Sequence, residues 1–266
     1  MNTPAVSVCG VSASYGRKTI LRDLSVDIPE GSVTSIMGRN GCGKSTLLRV
    51  ITANMKADEG TVSVEGIPLS DYGEGRLART VAFLPQVHDI PHDMTSEELV
   101  ACGRYPYQHW WKRITDEDKA AVDSAMSRTY TEPLRHRMVS SLSGGERQRI
   151  WIAMALAQKP KILILDEPTT YLDVCHQMEI MELLNHLNRE ENLTVLMVLH
   201  DINQACRYSS HIAVMEEGRI THFGSPEQVI NPDTVRTVFH VNSVTEIRDQ
   251  SLYVYISGLE ESFRGR

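Results

Sequence analysis

Long hydrophobic runs are missing from this 266-residue sequence. The longest apolar stretches, such as Val195-Leu196-Met197-Val198-Leu199, have the length of a strand and fall far short of the roughly 18 residues a bilayer-spanning helix needs. The first ten residues, Met1 to Gly10, lack the basic stretch and apolar core of a secretory signal, which points to the cytoplasm. Cysteine is scarce: Cys9, Cys42, Cys102, Cys175 and Cys206 are odd in number, widely spaced and without a Cys-x-x-Cys pair. That pattern suggests neither a disulfide framework nor a zinc site, and fits a reducing compartment. Positive charge is in deficit as well. With 27 Lys and Arg against 34 Asp and Glu the formal net charge is -7, poor footing for a protein whose main partner is nucleic acid or an anionic membrane surface.

What is present, 41% hydrophobic and 23% charged residues, describes a globular chain long enough for a sizeable core. Short apolar segments rich in β-branched residues alternate with helical patterns, the signature of an α/β domain with a largely parallel sheet. The reading places strands around Val6–Val11, Leu24–Ile28, Val33–Met37, Thr61–Glu65 and Thr80–Leu84, with a single helix, Lys44–Asn54, among them. From Thr95 the texture changes. Thr95-Ser96-Glu97-Glu98 reads as a capping box, and Thr115-Asp116-Glu117-Asp118 opens an amphipathic helix ending near Arg128. The segment Gln86 to Met138 therefore reads as an inserted, mostly helical lobe. Strands resume at Ile162–Leu165, Thr194–Leu199 and Ile212–Met215, with helices at His176–Arg189 and Ile202–Arg207. A short helix follows Ser225-Pro226, then strands at Val244–Arg248 and Leu252–Ile256, and Gly258–Arg266 reads as a loose tail.

Gly38-Arg39-Asn40-Gly41-Cys42-Gly43-Lys44-Ser45 fits the phosphate-loop pattern and sits between the apolar strand Val33–Met37 and a helix, the context that motif requires. Its glycines let the backbone N–H groups of Gly38, Arg39, Asn40, Gly41, Cys42 and Gly43 curl around phosphate oxygens. The helix start, with Thr46 in its first turn, adds partial positive charge, and Lys44 neutralises the β- and γ-phosphates. Ser45 is placed to ligate Mg²⁺. Ile162-Leu163-Ile164-Leu165-Asp166-Glu167-Pro168 is a buried strand ending in two acids, which would be costly in a core unless metal or water receives the charge. Asp166 suits the Mg²⁺ shell, and Glu167 suits the general base that polarises water. Leu142-Ser143-Gly144-Gly145-Glu146-Arg147-Gln148 opens a helix and forms a second anion-facing start, one more than a single nucleotide needs unless it serves another copy.

In this order, the phosphate loop, Gln86 after a strand, Leu-Ser-Gly-Gly, the strand ending Asp-Glu-Pro and His200 after a further strand resemble an ATP-binding cassette (ABC) transporter ATPase subunit, from Val6 to about Ser257. The resemblance implies a P-loop NTPase, ABC-type nucleotide-binding domain with a mixed sheet core, an antiparallel β subdomain and an inserted helical subdomain. In that layout 1–85 and 139–224 are catalytic core with β subdomain, 86–138 the helical subdomain and 225–266 a C-terminal extension. The resemblance also implies ATP and Mg²⁺ as cofactors and gives several residues their roles. Tyr15 matches the aromatic that stacks on adenine, Gln86 a residue touching Mg²⁺ or the attacking water, and His200 the histidine contacting the γ-phosphate. Asp173 matches a loop crossing a dimer interface, and Ser143, Gly144 and Gly145 face the nucleotide of the opposite subunit. Taken alone, Tyr15 and His200 would be core residues, and Gln86 a solvated loop residue.

The implied assembly is a homodimer of ATPase subunits docked on integral membrane permease subunits, at the cytoplasmic face of a bacterial inner membrane, fed indirectly by a substrate-binding protein. No nucleic-acid partner is expected. Three segments, Glu98–Pro106, Arg149–Gln158 and Glu167–Gln177, are similar to the ATPases of ferric-siderophore importers, a pattern shared with cobalamin and haem importers. A soluble ABC ATPase and a non-catalytic nucleotide-binding module remain alternatives. Tyr171 stands where many cassettes carry a small residue. Cys42, at a helix start beside Lys44, either tends towards thiolate or merely fills a small space. Tyr105, Tyr107, Trp110 and Trp111 cluster with His109, Lys112 and Arg113, either as a groove for a short permease helix or as packing inside the lobe.

Overall fold

The structure is a computed structural model, and it describes residues 3–73, 75–86, 93–107, 114–248 and 251–260. In chain order the first elements are β1 (Val6–Tyr15), β2 (Lys18–Ile28), β3 (Val33–Met37), α1 (Lys44–Ile51), β4 (Glu59–Val64), β5 (Ile67–Pro68), α2 (Arg76–Thr80) and β6 (Val81–Leu84). Then come α3 (Ser96–Cys102), α4 (Asp116–Arg128), α5 (Gly144–Ala157), β7 (Ile162–Asp166), α6 (Val174–Glu191), β8 (Thr194–Val198) and α7 (Ile202–Tyr208). The last are β9 (His211–Glu216), β10 (Arg219–Gly224), α8 (Pro226–Val229), α9 (Pro232–Phe239), β11 (Val241–Arg248) and β12 (Ser251–Leu259).

Every residue of β3, β7 and β8 is buried, Thr34 and Ser35 of β3 included, as mostly apolar strands in a sheet covered on both faces require. They belong to a sheet of order β10-β9-β3-β8-β7-β6, in which β3 with β9 and β6 with β7 are parallel and β9 with β10 is antiparallel. A second sheet, β2-β1-β4-β5, is antiparallel throughout. The mixed sheet and the antiparallel β sheet match the expected fold class.

The chain groups into two compact units, Met1–Leu69 with Leu196–Arg266, and Ser70–Val195. The first holds the antiparallel sheet, β3, β9 and β10, and its core includes Leu21, Leu24, Ile36, Leu47, Leu48 and Ile51. In the second, α5 is surrounded by α3, α4, α6 and β6, so Ile150, Ile152, Ala153, Ala155, Leu156 and Ala157 are buried almost all round the helix.

The starts of α3, α4 and α5 carry the reciprocal bonds of a capping box. Thr95 Oγ1 accepts from Glu98 N, Thr115 Oγ1 from Asp118 N and Ser143 Oγ from Glu146 N, and each acid reaches back to the cap's own N–H. Several elements run longer than their sequence signals. Strand β2 begins at Lys18, earlier than its sequence signal, since irregularities in its pairing with β1, near Gly10 on β1 and Asp23 (φ 49°) on β2, break the alternation that a strand reading relies on. Strand β10 is an exposed edge joined to β9 by Glu217-Gly218, both at positive φ, a two-residue hairpin turn of the kind that fits strand twist. Helix α1 stops at Ile51, where Thr52 Oγ1 bonds back to Leu48 O at 2.8 Å. The hairpin β11–β12 extends to Leu259, into the stretch read as a loose tail.

Candidate functional site

In the first unit, buried β3 delivers the chain into the phosphate loop, and each glycine there has a different reason. Gly38 (φ 148°) passes so close to the carbonyl of Met215 that a Cβ would lie 2.1 Å from its oxygen. Gly43 (φ 111°) is wedged against Met215, Leu21 and Ile20, whereas Gly41 (φ 78°) has open space where a side chain would stand. Gly43 caps α1 without a side chain, and the first turn holds no acid, so the N–H groups and partial positive charge of the helix start are left for an anion. Lys44 is buried and folds back, its Nζ donating to Gly38 O at 2.8 Å and Arg39 O at 3.0 Å. Arg39, Asn40 and Gly41 are exposed, Ser45 is half-buried and Thr46 is buried. A cleft of about 400 Å³ lies beside this loop, lined by Gly41, Cys42, Lys18, Ile20, Arg22 and Gly218 among others.

Tyr15 closes β1 and is 48% exposed, not a core residue; its hydroxyl accepts from Arg49 Nη1 of α1 at 3.1 Å. His200, just past β8, is exposed, so the core-histidine alternative falls. For Cys42 the structure reverses the thiolate expectation. Burial pushes its thiol up, and the Lys44 charge and nearby backbone N–H groups only partly offset that. Its N–H still belongs to the loop, where it bonds Arg39 O at 3.3 Å.

In the second unit, β7 ends on buried Asp166 and turns at Glu167, which adopts φ 55°, a strained conformation for a residue with a side chain. Gln86, two residues past β6, donates from Nε2 to Glu167 Oε2 at 2.6 Å, and Thr170 Oγ1 donates to the same oxygen at 3.0 Å. Two residues 81 positions apart that were assigned to one reaction are thus in direct contact. Thr170 was missed as a partner, though its place three residues after Glu167, in a turn closed by Thr170 N to Glu167 O, is the available signal.

The same unit holds the start of α5. Ser143 is its N-cap, and Glu146, which completes the box, is held below the usual carboxylate range first by Ser143 N–H, with Arg137 and Arg149 adding to it. Gly144 is exposed and Gly145 buried. Asp173 caps α6 by accepting from His176 N at 3.0 Å and from His176 Nδ1 at 2.9 Å, bonds that hold its carboxyl below the usual range. Tyr171 is 89% exposed at φ 67°. Of the aromatic cluster, His109, Trp110, Trp111, Lys112 and Arg113 lie outside the described residues. Tyr105 is exposed, while Tyr107 packs within the unit, its ring under Arg104 at 3.8 Å and its hydroxyl on Gln158 O at 3.0 Å.

The family described as ABC transporter matches residues 21–170. A probable siderophore transport system ATP-binding protein of Bacillus subtilis (strain 168) is 47% identical over 242 residues, 91% of this chain and 88% of the relative. The ferric enterobactin transport ATP-binding protein of Escherichia coli (strain K12) is 44% identical, covering 86% and 84%. Among solved structures, a chain of an ABC transporter in an inward-facing conformation superposes with a TM-score of 0.84 at 26% identity, over 98% of this chain and 99% of that one. Sequence motifs, fold and relatives matched over most of their length agree, and the chain belongs to the ABC transporter family.

Proposed function

We propose that this chain is the ATP-hydrolysing subunit of a bacterial importer, energising uptake of an iron chelate of the ferric-siderophore type through separate membrane subunits. The observation that carries the hydrolytic role is Glu167, delivered by a buried strand and fixed by Gln86 and Thr170 through a single oxygen. A carboxylate held in this way can accept a proton from a water without losing its place. A purely scaffolding module has no use for it. The substrate class rests on the siderophore and enterobactin transport systems named for the two relatives.

In this reading Tyr15 stacks on adenine, and the N–H groups from Gly38 to Ser45 and Thr46 hold phosphate oxygens. Lys44 moves its Nζ from the loop carbonyls to the β- and γ-phosphates, and His200 contacts the γ-phosphate. The cradle fits a phosphate chain: its glycines leave no room for side chains at Gly38 and Gly43 and open space at Gly41. Mg²⁺ suits the donor chemistry, since the Ser45 hydroxyl, the Asp166 carboxylate and the Gln86 amide are hard oxygen donors of the kind that ion takes. When bound it would neutralise charge on the β- and γ-phosphates. Ser143, Gly144 and Gly145 with Asp173 face the nucleotide of a second copy, giving a homodimer that closes on two ATP molecules. The helical subdomain, residues 86–138, docks on permease subunits at the cytoplasmic face of the inner membrane, with a substrate-binding protein as indirect partner. No helix of the described residues is long and apolar enough to cross a membrane.

The test is uptake of ferric siderophores, haem and cobalamin in cells lacking this chain, complemented with wild type or Glu167→Gln. Rescue of a ferric siderophore by wild type alone is expected. Rescue of haem or cobalamin instead moves the substrate class, and the absence of any uptake defect overturns the importer reading.

A further inference from the structure

Gly145 is a glycine for an unusual reason. Its backbone is not in the left-handed region, so nothing in its conformation calls for the residue. A Cβ there would instead lie 2.1 Å from Cδ2, 2.6 Å from Cγ and 2.9 Å from Nε2 of His176. The imidazole occupies the place where any side chain at 145 would stand. The same ring is bonded through Nδ1 to Asp173 Oδ1 at 2.9 Å. Asp173 also accepts from the His176 N–H, and a carboxylate kept ionised by such bonds only accepts, so Nδ1 carries the proton. One residue earlier in α5, and four earlier in the facing segment, a weaker contact joins the same two stretches: a Cβ on Gly144 would touch Leu172 Cδ2 at 3.4 Å, and Leu172 O is held by Gln177 Nε2 at 2.9 Å.

We propose that His176 is a positioning residue that locks the start of α5, with Ser143 to Gly145, to the loop carrying Asp173, so that the two present themselves to the opposite subunit as one piece. The inference rests on the dimeric ATPase reading above and adds a residue to it. Ring packing on the Gly145 Cα fixes the distance between the two segments, and the Nδ1–H bond to Asp173 fixes the ring. Neither segment can shift without displacing the imidazole, a half-buried ring pressed against buried Gly145.

Two measurements on the full-length chain test this. In steady-state ATPase assays, His176→Ala is expected to lower kcat tenfold or more while the KM for ATP stays within twofold, because the phosphate loop is untouched. In the Glu167→Gln background it is expected to weaken ATP-dependent association tenfold by sedimentation. His176→Asn, whose side-chain N–H can reach Asp173 in place of Nδ1, is expected to recover at least threefold of the lost kcat. The second measurement is a thermal-midpoint cycle that needs no activity. Gly145→Ala should lower the midpoint by several degrees in wild type and by less than about a third as much in His176→Ala, where the ring is gone. Equal cost in both backgrounds, or unchanged kcat and association in His176→Ala, overturns the proposal. If the wild-type chain hydrolyses no ATP, the functional reading fails while the midpoint cycle still decides the contact.

Discussion

Replacing Glu167 with glutamine separates what the carboxylate does chemically from what it does structurally. Gln86 Nε2 and Thr170 Oγ1 both donate to Oε2, at 2.6 and 3.0 Å. A glutamine that turns its carbonyl oxygen to that position keeps both bonds, each weakened from a charge-assisted to a neutral one by about 1 kcal/mol. The fold therefore loses no more than about 2 kcal/mol, a few degrees in thermal midpoint for a chain of this size. What disappears is the ability to take a proton, since an amide does not act as a base near neutral pH. General-base catalysis contributes about 10²- to 10⁴-fold, which at 1.36 kcal/mol per decade corresponds to a barrier about 3 to 5 kcal/mol higher. Phosphate release by the purified chain should accordingly show kcat down by about two to four decades, with nucleotide binding within a fewfold of wild type. ATP should then hold the variant as a closed dimer, visible by sedimentation. A Glu167→Gln chain with kcat within threefold of wild type refutes the assignment of the base. A chain that fails to bind nucleotide refutes the argument that the glutamine preserves the geometry.

Arg104, 1% exposed, bonds Asp118 Oδ1 at 2.8 Å and Ala157 O at 2.9 Å; Arg104→Met strands a buried carboxylate and should cost about 3–5 kcal/mol, read as a drop of 10 °C or so in thermal midpoint. A change below 2 °C would show that Asp118 relaxes to solvent. With its thiol raised by burial, Cys42 should react with iodoacetamide more slowly at pH 7.5 than exposed Cys9 and Cys175, accelerate towards pH 9, and be protected by ATP; peptide mass spectrometry reads this, and Cys206, pushed to about 12 by burial first and by Glu227 and Asp201 after it, should stay unmodified. Glu146 is depressed in the folded state, so its stabilising contribution is present above its unfolded value near 4.5 and is lost as pH falls through the lower folded value. Glu146→Gln keeps the box but removes the negative charge that Ser143 N–H and Arg137 stabilise; it should cost about 1 kcal/mol at pH 7, and its gap to wild type in urea midpoint should narrow as pH drops from 5 to 3. A gap that does not change with pH would assign the loss to something other than the Glu146 carboxylate.

The elements legible in the sequence are those whose signal is local or whose burial is complete. The fully buried, mostly apolar β3, β7 and β8 need no partner to be recognised, and the Thr95–Glu98 capping box announces its helix through two residues three apart. The elements missed or shortened depend on a neighbour. The first half of β2 follows a bulged partner, β10 is an edge held by β9, and the ends of β11 and β12 exist because they pair with each other. No periodicity in one strand carries that information.

The site divides along the same line. Residue types that chemistry demands at fixed spacing, such as the phosphate-loop glycines, Lys44 and the acids ending β7, can be read from the chain because their context is contiguous. Gln86 on Glu167 and His176 on Gly145 bring together residues 81 and 31 positions apart, and only the fold makes them neighbours. Cys42 shows the cost of stopping at local context: a helix start and an adjacent lysine argue for thiolate, but the packing that closes over the sulfur outweighs both. A motif specifies which groups are available. Their protonation and the partners that hold them are set by tertiary packing, which is why the two contacts that add most to the chemistry, at Glu167 and at Gly145, are ones that no motif contains.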